Sequence, residues 1–172
     1  MPVYALGSLE PTIHPDAFVH PDAVVIGAAV IGPEASIWPT AVLRADNATI
    51  TVGARTSVQD GTVIHCTEEL PTTIGADCVV GHNAHLEGCV VEDGALVGSG
   101  SVLLHRVVVR SGALVAAGAV VAPGTEVPSG AIAMGVPARI RAGAADAEAI
   151  LRNAAVYVAA ARTYRRELRR LD

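Results

Sequence analysis

The sequence predicts an all-β fold, a parallel β-helix of hexapeptide repeats, followed by one C-terminal α-helix. Ile13, Val19, Val25, Ile31, Ile37 and Leu43 recur at every sixth position, and Ala17, Ala23, Ala29, Ala35, Ala41 and Asn47 follow them four places later. Gly27, Gly32, Pro33, Pro39, Gly53 and Gly75 punctuate the same stretch and would break a helix repeatedly. Each hexad reads as a short strand plus a corner. The aliphatic residue points inward, the small one lets the chain turn, and three hexads close one triangular coil. A β-sandwich would space its turn signals about 8–12 residues apart, which the period of six does not match.

The period resumes after a slip at Val52, Val58 and Ile64, again at Ile74, Val80 and Leu86, and then reads as Leu96, Val102, Val108, Leu114 and Val120. Three extra residues intrude between Leu43 and Val52 and four between Ile64 and Ile74, while Leu86 reaches Leu96 in two five-residue steps through Val91. Loops or tightened corners are expected at these faults. From about Ala144 the spacing becomes helical, with Ile150, Leu151, Ala154, Tyr157, Val158, Ala161 and Leu168 on one side. The organisation is therefore a β-helix domain over residues 1–143 and a helix of some seven turns over 144–172 that packs on it.

Composition fits this reading. With 51% hydrophobic but 3% aromatic residues, the core must be stacked Val, Ile, Leu and Ala, and 172 residues suit one compact unit. A net charge of −5 argues against a nucleic-acid partner. Neither a basic leader nor a run of about 18 apolar residues is present, so no membrane span and a cytoplasmic location are expected. Cys66, Cys78 and Cys89 are odd in number and lie in or beside the repeat, as reduced structural thiols do. Arg162, Arg165, Arg166, Arg169 and Arg170 read as a solvated face complementing the helix dipole.

Counting faces through the slips puts Leu43, Ile64 and Leu86 on one face in successive coils, with Val58 and Val80 on the face before. Arg44, His65 and Glu87, each one residue further on, then form an outward column with roughly 4.8 Å between neighbours. Asp60 falls beneath His82, and His85 points outward on the strand of Glu87. His82 and Glu87 sit on opposite sides of a corner and cannot turn to one ion within a single prism. Three prisms packed side by side would bring His65 and Glu87 or His85 of one chain to His82 of another. Two histidines and a third ligand around an open position suit catalytic zinc. His14, His20 and His105 read as ordinary solvated histidines.

The stretches SIWPTAVLRAD (36–46), TSVQDGTVIH (56–65), VVGHNAHLEGC (79–89) and MGVPARI (134–140) together resemble the γ-class carbonic anhydrases. The resemblance implies a left-handed β-helix, a homotrimer, and reversible hydration of CO2 to bicarbonate by zinc-bound hydroxide at the trimer interfaces, with Fe2+ or Co2+ as alternative metals. It also implies that His65 and His82 are metal ligands, that Arg44 and Asp46 join charges across the interface, that Asp60 supports a ligand and that Gln59 holds solvent at the metal. The family's third histidine falls at position 87, where this chain has Glu87. Either Glu87 binds the metal itself, or His85 moves in and Glu87 supports it. A carboxylate ligand would weaken the Lewis acid. Glu68 and Glu69, in a loop shorter than the acidic loop of the family's most active type, are the candidate proton relays, with Glu68 first. Two other classes share the hexads: an acyl-CoA-dependent transferase or thioesterase with a histidine base, and a non-catalytic trimeric scaffold.

Overall fold

A computed structural model describes residues 2–172. The chain winds as a three-faced parallel β-solenoid of the left-handed hexapeptide type and ends in one helix. Face I stacks Phe18–Val19, Ser36–Ile37, Ser57–Val58, Val79–Val80, Leu96–Val97, Leu114–Val115 and Ile132–Met134 in parallel register. Face II begins with the first halves of the long strands Val24–Ile31 and Val42–Val52 and continues through Val63–His65, His85–Glu87, Val102–Leu103 and Val120–Val121. Face III takes the second halves of those long strands, then Thr72–Ile74, Val90–Val91, Val108–Val109 and Glu126–Val127. Arg139–Arg141 turns back antiparallel on Ile132–Met134 and closes the top.

The core is a stack of single aliphatic side chains, one from each strand. Val25, Leu43, Ile64, Leu86, Leu103 and Val121 are fully buried in one such column. Small residues fill the inner corners, as Ala95, Ser101, Ala113, Ala119 and Ala131 do. The sharp bend itself falls to the residue before each of them, which adopts positive φ, as Gly118 does at 67°, and Arg106 does the same before Val107 at 60°.

Three expectations are corrected. The last run of inward residues is Val97, Leu103, Val109, Val115 and Val121, one position later than expected, and Leu86 reaches Val97 through Val91 with only one shortened step. Both residues of these strands are aliphatic, so alternation alone does not say which one faces inward. The first slip is no loop: Val42–Val52 runs unbroken, and the extra residues form a bulge where pairing jumps from Gly27–Ala45 to Ala29–Ile50. The helix, α1, spans Ala147–Glu167, about six turns rather than seven, capped by the side chain of Asp146, which accepts from the Ala149 amide at 2.9 Å.

Helix α1 lies on face I, burying Ile150, Ala154, Val158 and Ala161, while Leu151 and Leu168 stay exposed. Four of the five aromatic residues, Phe18, Trp38, Tyr157 and Tyr164, gather at this seam. Phe18 and Trp38 meet Tyr164 edge to face at 5.9 and 5.0 Å, and the Trp38 indole donates to Ser57 at 2.9 Å. Arg162 pairs with Glu34, and Arg165 donates to the Asp16 and Pro15 carbonyls, so these two arginines fasten the helix rather than only solvating it. All three cysteines are buried free thiols. Among the described residues no helix is long and apolar enough to cross a membrane.

Candidate functional site

The site grows from the register of face II. Leu43 pairs with Ile64 and Ile64 with Leu86, so Arg44, His65 and Glu87 stand above one another on the outside. The bulge after Ala45 adds a further group by swinging Asp46 over the same column. There Asp46 pairs with Arg44 and meets His65 Nε2 at 3.0 Å. The bulge is pinned beneath by Cys66, whose thiol receives the Ala48 amide at 3.3 Å and donates to the Ala48 carbonyl at 3.0 Å.

Glu87 is the hub. Its Oε1 lies 2.9 Å from His65 Nδ1 and 3.6 Å from His105 Nε2, and its Oε2 lies 3.5 Å from His85 Nε2. The hydrogen bond with His65 holds the Glu87 carboxyl below its ordinary range, against partial desolvation. Desolvation works to raise Asp46, but hydrogen bonds to His65 and Arg44 outweigh it and hold that carboxyl low as well. Two ionised carboxylates thus flank one imidazole. Both are satisfied by it only when both ring nitrogens carry hydrogen.

A second cluster sits at the corner between faces I and II. His82 Nδ1 meets Asp60 Oδ2 at 2.9 Å, which leaves Nε2 on the other side of the ring with no described partner. Both side chains are about half exposed. Gln59, beside Asp60, is buried, and its backbone N–H donates to the Val80 carbonyl. No described hydrogen bond or ion pair joins this cluster to Glu87. Glu68 and Glu69 are exposed in the loop between Val63–His65 and Thr72–Ile74.

The structure therefore brings Arg44, Asp46, His65, His85 and Glu87 together, keeps Asp60 and His82 apart from them, and leaves Glu68 at the surface. It also adds a residue that sequence reasoning set aside as solvated. His105 stands one coil above Glu87, and its Nε2 is buried without a hydrogen-bond partner.

Among the described residues no three His, Cys, Asp or Glu side chains converge on a point that would hold a metal ion. The donor chemistry nonetheless suits a divalent cation shared between chains. One chain offers an ionised carboxylate with an unpartnered imidazole nitrogen beside it, and separately an outward imidazole whose other nitrogen is fixed by a carboxylate.

The fold and this paired arrangement place the chain in a defined class, the hexapeptide-repeat proteins, and comparison with known proteins agrees. The bacterial transferase hexapeptide family (six repeats) matches residues 71–105. The chain is 38% identical to the carnitine operon protein CaiE of Escherichia coli O157:H7 over 86% of its own length and 76% of that protein. A crystal structure of a hexapeptide transferase family protein from Anaplasma phagocytophilum superposes with a TM-score of 0.91 at 33% identity, over 95% of this chain and 98% of that one. The chain belongs to the hexapeptide transferase family.

Two shorter matches bear on the site. Protein YrdA of Escherichia coli K12 is 42% identical over 41% of this chain, so that the chain spans 42% of that relative's length. The mitochondrial gamma carbonic anhydrase 2 of Arabidopsis thaliana is 41% identical over 56% of this chain and 37% of that protein.

Proposed function

We propose that the protein is a γ-type carbonic anhydrase, a homotrimer that holds one divalent cation at each subunit interface and interconverts CO2 and bicarbonate. The observation that carries this reading is the division of the donors. The Glu87 cluster and the half-exposed His82 occupy opposite margins of face II, with no described hydrogen bond or ion pair between them, a division suited to donors that meet across two chains. Between them runs an outward column of Val24, Val42, Val63, His85, Val102 and Val120. Such an apolar stripe favours association of like chains about a threefold axis.

In this reading Glu87 and a neighbouring histidine of one chain, with His82 of the next, hold zinc, iron(II) or cobalt(II). The bound cation supplies a Lewis acid that lowers the pKa of water towards neutrality. Asp60 fixes the tautomer and direction of the His82 ring, and Gln59 braces the same corner. Arg44 and Asp46 set the position of His65, which in turn orients Glu87. An anionic ligand reduces the site's net charge relative to three imidazoles, so hydration is expected to be slower than at an all-histidine centre. Exposed Glu68 carries protons from the site to bulk solvent, with Glu69 as its neighbour in the loop.

Metal content and CO2 hydration, measured on the same purified protein, test the proposal. One metal per chain with hydration above buffer is expected, and both are expected to be lost in His82→Ala and Glu87→Ala. A metal-free, inactive protein after zinc reconstitution contradicts it.

One observation favours a second reading. His82 hydrogen-bonded to Asp60 at an exposed corner is also the arrangement of a general base, as an acyl-CoA-dependent transferase or thioesterase would need. Acyl-CoA binding without metal dependence would select that alternative.

A further inference from the structure

We infer that His105 is a ligand of the interface cation and supplies the imidazole missing at position 87. This rests on the metal-site reading above and names the ligand set of this chain. His105 occupies the corner after Val102–Leu103, and its backbone is fixed on both sides. The Arg106 amide donates to the Gly88 carbonyl at 2.7 Å, and the Gly124 amide donates to the His105 carbonyl at 2.9 Å. The ring lies over Gly88. A Cβ at Gly88 would come within 3.2 Å of His105 Cδ2 and 2.9 Å of Leu70 Cβ, so the absent side chain leaves the space in which the imidazole reaches Glu87.

The neighbouring imidazoles differ in what their nitrogens do. Both nitrogens of His65 already face carboxylates, Glu87 on one side and Asp46 on the other. The side chains of His85 and His105 are about equally exposed, and His85 lies on the Oε2 side of Glu87. His105 Nε2 alone is buried with no hydrogen-bond partner, a state that costs free energy unless something fills it. Its 3.6 Å separation from Glu87 Oε1 is too long for a hydrogen bond. Two donors sharing a tetrahedral cation at about 2.0–2.1 Å stand roughly 3.3–3.4 Å apart. A cation placed between His105 Nε2 and Glu87 would thus satisfy both with a small adjustment. With His82 from the adjoining chain the set is two histidines and a glutamate around an open position. His65 then holds Glu87 from behind, and Asp46 holds His65.

The test is cobalt binding to the full-length, metal-free protein, followed by its visible absorption and by competition with a chelator, with oligomeric mass checked for each variant. His105→Ala is expected to lower cobalt affinity by more than a hundredfold. His65→Ala is expected to lower it by about 10–100-fold, as loss of an outer-shell partner does, and His14→Ala, whose ring meets Asp16 and not the cluster, to leave it unchanged. Nitrogen NMR of the wild-type histidines gives an answer that needs no variant: on adding zinc, a ring nitrogen of His105 should shift as a metal-bound imidazole does. Wild-type affinity in His105→Ala, or a ligand shift at His65 with none at His105, overturns the inference while leaving the metal-site reading intact. Failure of the wild-type protein to bind either metal overturns both.

Discussion

The coils from Val90 onward and the coils between Val42 and Cys89 are built from the same hexad, yet they differ in regularity. In the later coils the strands pair eighteen residues apart without interruption, as Val102 with Val120 and Leu96 with Leu114. In the earlier ones a bulge, a loop and one shortened step break the period. The polar clusters lie almost wholly in the irregular coils, and His105 joins them by reaching down from the regular part. A uniform prism stacks side chains at one fixed spacing, as Arg110 above Glu92 does in the regular coils. A local fault is what lets groups from different strands, such as Asp46 and His65, meet around one point.

The largest expected effect breaks the core that both regions share. Leu86→Ala removes a fully buried side chain between Ile64 and Leu103 and should cost about 2–5 kcal/mol in urea denaturation. A comparison of two glycines separates the regions. Gly118, in a regular corner at φ 67°, has open space where a Cβ would go, so Gly118→Ala should cost about 1–2 kcal/mol through the backbone alone. Gly88→Ala, at φ 59°, adds contacts with Leu70 and His105. It should destabilise more and should also displace His105, so metal affinity falls only in this variant.

Thiol reactivity follows from the same burial. Desolvation pushes Cys89 up to about 12 and Cys78 up to about 11. Because these folded values are raised, the stability they carry is complete below the ordinary thiol value near 9.0 and falls as pH rises towards 11–12. Alkylation at pH 8 should modify neither residue in the native protein and both in urea, as mass spectrometry would show. The smallest effect is at acid pH. Glu87 and Asp46 are held below their ordinary values, so their contribution is present above about pH 4.5 and is lost as pH falls through the lowered values. Melting temperature should drop in that range, and Glu87→Gln should flatten the drop.

The stacking of Arg44, His65 and Glu87, and of Asp60 beneath His82, was legible because a fixed period converts sequence distance directly into position. The later register was not, since strands such as Val108–Val109 and Leu114–Val115 offer two aliphatic residues for one inward place. Asp46 was legible as an interface charge but not as a partner of His65, because that contact depends on a bulge set by Gly27 lying against the Ala45 backbone. His105 was missed because column counting along strands places Leu104, not His105, above Glu87. The available signal was Arg106, a non-glycine residue at a corner where Gly94, Gly100, Gly112 and Gly118 mark the regular turns.

Chain mixing tests the central claim, that the site is divided between subunits, most directly. His82→Ala and Glu87→Ala proteins, each prepared alone, are expected to hold no tight metal and to lack CO2 hydration. Co-assembled in equal amounts, they should regain both at on the order of a quarter of the wild-type level, since random assortment in a cyclic trimer pairs an intact His82 with an intact Glu87 at one interface in four. No recovery in mixed trimers of wild-type mass would contradict a shared site.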